Sequence, residues 1–178
     1  EAGMPPGIVS VVTTAPGSGR NAINAMIDHP AVNRVVFTGS TAVGRRIGET
    51  AGRALVPAVL ELGGKNATVV RADADLDIVA PQIAFSSFAN TGQVCMCTDR
   101  VIAHSSIAGE LTERLAALAT GTAVGDPRDE STELGPLIND TAAESFERFV
   151  RDAQDAGARL VAGGKREGRY AWPTVLAD

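Results

Sequence analysis

The run Arg34-Val35-Val36-Phe37-Thr38-Gly39-Ser40-Thr41-Ala42-Val43-Gly44 decides how this chain folds. Arg34 to Phe37 has the β-branched and aromatic composition of a strand. Thr38-Gly39-Ser40-Thr41 supplies a turn with two candidate N-caps, and Val43, Ile47 and Ala51 share one face of the helix it opens. Leu55 to Leu62 returns to a strand with no hairpin signal between. Upstream, residues 1–7 read as a helix end and a turn. Ile8 to Thr13 reads as a buried strand bounded by Ala15-Pro16-Gly17. Residues 18–28 carry Ala22, Ile23, Met26 and Ile27 at helical spacing, stopped by Pro30. Strand and helix alternating without tight hairpins is the pattern of a parallel, doubly wound α/β sheet.

After Gly63-Gly64 the pattern restarts, which places the domain joint there. Asn66 to Val70 is a strand, and Asp73 and Asp75 lead a helix with Leu76, Val79, Ala80, Ile83, Ala84 and Phe88 on one face. Asn90-Thr91-Gly92 ends it with residues that tolerate the left-handed conformation. Arg100 to His104 is a further strand. Ala108, Leu111, Leu115 and Leu118 mark the next helix, broken by Gly125-Asp126-Pro127. Thr141 to Glu144 reads as a capping box for a helix burying Ala143, Phe146, Phe149, Val150 and Ala153. Leu160-Val161 and Pro173 to Leu176 close the chain as a strand pair.

Composition narrows the class. Apolar residues make up 44% of 178 residues, enough for a proper core. A net charge of −5 argues against nucleic-acid and anionic-membrane partners. No apolar run reaches the ~18 residues of a membrane span, and no basic-then-apolar leader opens the chain. Cys95 and Cys97 are too close to staple a fold, which points to a reducing compartment, the cytoplasm. The first residue is Glu1 rather than Met, so the native start is expected to be missing.

Three places can carry chemistry, and each has an ordinary alternative. The Gly39–Gly44 turn opens a helix whose free amides and partial positive charge favour a phosphate, but it would equally be a plain capped turn. Glu61 falls inside an apolar strand, where burial would suit it to general-base work, or it reaches solvent from the strand's edge. Cys95 follows the Gly92 cap and is a candidate nucleophile, or an inert buried thiol of the kind Cys97 is expected to be. Cys-x-Cys with His29 and His104 far away matches no usual zinc spacing, and those histidines are expected near a helix end and a strand end.

Taken together and in order, Glu1-Ala-Gly-Met-Pro-Pro-Gly7, Phe37-Thr-Gly-Ser-Thr-Ala-Val-Gly44, Glu61-Leu-Gly-Gly-Lys65, Asp73-Ala-Asp-Leu-Asp77, Asn90-Thr-Gly-Gln-Val-Cys95, Gly135-Pro-Leu137 and Pro173-Thr-Val-Leu176 resemble the aldehyde dehydrogenase superfamily. The resemblance implies Cys95 as nucleophile and Glu61 as general base. It implies that Gly39, Ser40, Thr41 and Gly44 line the site of NAD, with NADP an alternative, and that Glu61 and Leu62 lie beside the nicotinamide. It makes residues 1–63 the second half of the cofactor-binding domain and residues 64–178 the first part of the catalytic domain. Coenzyme-A-acylating relatives do not keep this Glu, so its presence implies hydrolysis to the acid. Gln93 to Arg100 and the Thr13–Pro16 loop resemble the branch acting on aromatic aldehydes such as benzaldehyde, salicylaldehyde or vanillin. Family members are longer, with an oxyanion-hole Asn upstream and a ribose ligand downstream. This chain alone is therefore expected to be inactive, and its parent a dimer or tetramer. The competing expectations are a non-catalytic protein on the same scaffold and a thiol-redox module using Cys95 and Cys97.

Overall fold

Ser40 is where strand gives way to helix. In the computed structural model, which describes residues 3–15 and 17–178, the chain is α/β and divides into two compact units, Glu1–Gly63 and Gly64–Asp178.

The first unit holds α1 (Gly19–Ile27), β1 (Val35–Gly39), α2 (Thr41–Ala54) and β2 (Ala58–Leu62). Strands β1 and β2 are parallel, in register from Val35 opposite Ala58 to Gly39 opposite Leu62. That arrangement requires a crossover, and α2 provides it. Ser40 keeps an extended backbone while its hydroxyl accepts from the Val43 amide at 3.4 Å, capping α2. Ile27, Ile47 and Ala51 form the buried core, with Ile23, Val35, Phe37 and Leu60 packed on it.

One expectation for this unit is corrected, and the structure decides between the two readings of Glu61. Ile8 to Thr13 is not a buried strand: Ile8, Val9, Val11 and Val12 are exposed, Val11 at 85%. A β-branched run becomes a strand only with a ladder partner, and the ladder described in this unit joins β1 to β2 alone. Glu61 is exposed rather than buried, although its strand is apolar on either side. Alternation along β2 turns Leu60 and Leu62 inward and Glu61 outward. Of residues 1–7, Pro6-Gly7 forms the expected turn, whereas Glu1 and Ala2 lie outside the described residues, as does Pro16.

The second unit begins with β3 (Asn66–Val70), α3 (Leu76–Phe88), β4 (Thr98–Ala103) and α4 (Ser105–Gly121). Strands β3 and β4 are again parallel, and α3 runs between them. Val70, Leu76, Ala80, Ile83, Ala84, Leu111 and Leu115 make one buried cluster, so the periodic faces read from α3 and α4 are the ones that pack. Asp75 caps α3 through its bond from the Asp77 amide, 2.9 Å, and His104 caps α4 from the end of β4. Next comes α5 (Asp140–Asp155), then β5 (Arg159–Ala162). A small hairpin of β6 (Arg166–Glu167) and β7 (Tyr170–Ala171) precedes β8 (Val175–Ala177), which pairs antiparallel with β5.

Here too details differ from the sequence reading. The cap of α5 is Asn139, whose Oδ1 accepts from the Ala142 amide at 2.8 Å, so Thr141 lies inside the first turn. Asn outranks Thr as a cap, and it stands where the chain is still extended. Phe149 is 65% exposed, with the Arg148 guanidinium over its ring, while Ala143 and Val150 take the buried positions. Helix α4 stops at Gly121, before the Gly125-Asp126-Pro127 break.

Candidate active site

The first unit gathers Gly39, Ser40, Thr41, Gly44, Glu61 and Leu62 at the carboxyl ends of its two parallel strands. Thr38 is the register partner of Glu61, and Gly39 of Leu62, so the turn into α2 and the end of β2 are neighbours by strand pairing alone. The Thr41 and Ala42 amides, in the first turn of a 14-residue helix, have no intrahelical acceptor. Ser40 and Thr41 add two exposed hydroxyls beside them. This donor set, at a helix N-terminus on the carboxyl edge of a parallel sheet, fits a phosphate group of a dinucleotide.

The glycines of this turn have steric reasons to be glycine. A Cβ on Gly39 would stand 2.5 Å from Cζ of Phe37, and a Cβ on Gly44 would stand 2.5 Å from Cδ2 of Leu62. Gly44 is accordingly buried, and it lets α2 lie directly against the end of β2.

Cys95 belongs to the second unit. Phe88 ends α3, and Asn90, Thr91 and Gly92 follow with φ of 53°, 58° and 71°, a left-handed succession that reverses the chain. For the β-branched Thr91 this conformation is strained. Its hydroxyl donates to the Gly135 carbonyl at 2.9 Å. Gln93 adds a second tie, its Oε1 accepting from the Ile138 amide at 2.8 Å. Cys95 then takes the second position of a turn closed by the Cys97 amide donating to Val94 O, 3.0 Å.

Cys95 is exposed, whereas the Cys97 side chain is buried at 5% exposure. Among the described residues the Cys95 amide donates to no protein atom, so it is free to bind an oxygen beside its own thiol. Valine and methionine flank it, and Val94 and Met96 are both exposed, Met96 at 78%.

Asn66, at the first position of β3, is the contributor that the sequence reading passes over. Its carboxamide donates to Cys95 O at 2.8 Å and to Cys97 O at 3.0 Å. Its adjacency to Lys65 in the Glu61–Lys65 run was the only available signal, since the contact spans about thirty residues of chain.

The family model described as the aldehyde dehydrogenase family matches residues 1–178. A vanillin dehydrogenase from Pseudomonas fluorescens is 42% identical over 99% of this chain and 36% of its own length. A benzaldehyde dehydrogenase [NAD(+)] from Pseudomonas putida is 42% identical over 100% of this chain and 36% of its own length. Among solved structures, a salicylaldehyde dehydrogenase from Pseudomonas putida G7 complexed with salicylaldehyde superimposes with a TM-score of 0.88 at 34% identity, covering 92% of this chain and 34% of that one. The chain thus spans about a third of the length of the curated relatives it matches.

Proposed function

The chain belongs to the aldehyde dehydrogenase family, and on that premise we propose that the whole protein oxidises an aromatic aldehyde to its carboxylic acid with NAD as hydride acceptor. The observation that carries this reading is Cys95, an exposed thiol on a turn whose own amide is unpartnered, inside a family match that runs the length of the chain. The aromatic preference and the choice of NAD are supported by relatives named for vanillin, benzaldehyde and NAD(+).

Residues 1–63 contribute the second half of the cofactor-binding domain, and residues 64–178 the first part of the catalytic domain. The helix N-terminus at Ser40 and Thr41 would hold a phosphate of the dinucleotide, with Gly44 packed on Leu62 behind it. When bound, the nicotinamide supplies the acceptor for the hydride.

The Cys95 thiolate adds to the aldehyde carbon, forming a carbon–sulfur bond and turning the carbonyl oxygen into an oxyanion. The Cys95 amide donates to that oxygen, a contact strongest when the charge is fully developed. Oxidation of this adduct leaves a thioester on Cys95. Glu61 takes a proton from water, the hydroxide adds to the thioester carbon, and the carbon–sulfur bond breaks to release acid and thiolate.

Assay of the whole protein with benzaldehyde and NAD tests the reading. NADH should form with wild type and not with Cys95→Ser. Normal turnover by Cys95→Ser would remove the thiol from the mechanism.

A further inference from the structure

A turn whose first three residues, Val94 to Met96, are exposed is a poor platform for a nucleophile, because loops of this kind are mobile unless something outside them holds them. The Val94–Cys97 turn has a single main-chain bond of its own, from Cys97 N–H to Val94 O. Its last residue, Cys97, is buried, and the Asn66 carboxamide holds the main chain of the turn from outside. A carboxamide nitrogen carries two hydrogens, and here one is available for Cys95 O (2.8 Å) and one for Cys97 O (3.0 Å). The two bonds fix the Cys95–Met96 and Cys97–Thr98 peptide planes, and with the first of them the direction in which the Cys95 side chain leaves the backbone.

Asn66 is held in turn by the chain around it. Its amide donates to Asp99 Oδ2 at 3.3 Å, and Asp99 Oδ1 pairs with Lys65 Nζ at 2.9 Å. Asp99 falls at an irregularity in the β3–β4 ladder, where Asn66 faces Thr98 but Ala67 faces Arg100. Such a bulge re-aims the extra side chain, here toward the start of β3. Gly64 leaves the carboxamide its space: a Cβ there would stand 3.0 Å from Asn66 Oδ1.

We infer that Asn66 is a positioning residue for the Cys95 thiol, acting through the main-chain carbonyls of the turn and touching no reacting atom. The inference rests on the proposed role of Cys95 as nucleophile. It also makes the segment Gly64-Lys65-Asn66 part of the thiol's support rather than a mere connection.

The test compares wild type, Asn66→Leu, Asn66→Ser and Asn66→Asp in the full protein. Leucine removes both donors at similar volume, serine keeps one short donor, and aspartate keeps the shape while presenting acceptors to two carbonyls. The rate of Cys95 alkylation by iodoacetamide is followed by peptide mass mapping, without cofactor, alongside melting temperature. Wild type should react faster than the urea-unfolded chain. Asn66→Leu should be roughly threefold to tenfold slower than wild type, the loss of one or two modest hydrogen bonds, with Asn66→Ser between them. In turnover with benzaldehyde the same order should appear in kcat, with KM for the aldehyde changed by less than about twofold, since the residue positions a group used in the transition state. A purely stabilising role would lower the melting temperature and leave these rates alone.

A folded Asn66→Leu that alkylates at the wild-type rate overturns the inference. Should leucine prevent folding, Asn66→Asp at the wild-type rate overturns it equally. If wild-type Cys95 reacts no faster than the unfolded chain, the nucleophile assignment itself fails. If wild type is fast and the variants match it, only the positioning role fails.

Discussion

The Cβ that Gly44 lacks would lie 2.5 Å from Cδ2 of Leu62, so the first turn of α2 rests on the end of β2 with no space for a methyl group. Gly44→Ala must push Leu62 aside. Overpacking of this kind costs about 1–3 kcal/mol, against about 1 kcal/mol gained by replacing a helical glycine. The net expectation is a small loss of stability in urea unfolding and a raised KM for NAD, because Leu62 borders the proposed cofactor site. Gly52 is the control: it lies in the same helix with nothing within 4 Å of its Cβ. Gly52→Ala should stabilise by about 0.5–1 kcal/mol and leave KM unchanged.

Ser40 has two duties that substitution can separate. Ser40→Ala should cost about 1 kcal/mol through loss of the α2 cap. Ser40→Asp keeps a capping oxygen and should retain most of that stability. It sets a negative charge where a phosphate is expected, so calorimetry should show weaker NAD binding for the aspartate variant than for the alanine variant. Equal affinity in the two would argue against a phosphate at this turn.

Leu111 is 2% exposed at the centre of the second unit's core, among Ala80, Ile83 and Leu115. Leu111→Ala should lower stability by about 2–5 kcal/mol, the range for a cavity left by a buried leucine. Leu118, on the same helix but 37% exposed, should lose much less on the same change. Urea midpoints of the two variants give the comparison.

Acid should loosen the loop after Gly125. Arg128 holds the Asp126 carboxyl below its ordinary value of 3.8, first through its guanidinium and then through its main-chain amide. The Ser131 amide, with its hydroxyl second, does the same for Asp129. Both folded values are depressed, so the unfolded chain takes up these protons first on acidification. The contribution to stability is complete above 3.8 and is lost as pH falls through the lowered values. Carboxyl carbon resonances of Asp126 and Asp129 should titrate below those of the unfolded chain. Arg128→Ala should return Asp126 toward 3.8 and leave the Ser131 bonds to Asp129 in place.

Local signals in the sequence were reliable where a single element decides them. Asn66 to Val70 is the strand its β-branched residues predict, and Asp75 is the cap that precedes the apolar face of α3. Ser40 and Gly44 stand where a strand-to-helix turn needs a capping hydroxyl and a small residue. Readings that depended on a partner elsewhere fared worse. Ile8 to Thr13 has strand composition but no described strand beside it, and Glu61 alternates outward from a strand that looks uniformly apolar in one dimension. Contacts between distant residues leave almost no trace in composition or period, which is why the Asn66 bonds to the Cys95 turn and the Gln93 bond to Ile138 emerged only in three dimensions.

Cys95 is proposed to carry the substrate carbon and Glu61 to release it. The most direct measurement is mass spectrometry of the whole protein bearing Glu61→Gln after mixing with benzaldehyde and NAD. The expected result is a benzoyl group on the peptide containing Cys95, about one NADH formed per thiol, and turnover slowed by roughly two to four orders of magnitude, the usual worth of a general base. A Glu61→Gln protein that turns over at the wild-type rate, or an acyl group on any residue other than Cys95, would contradict it.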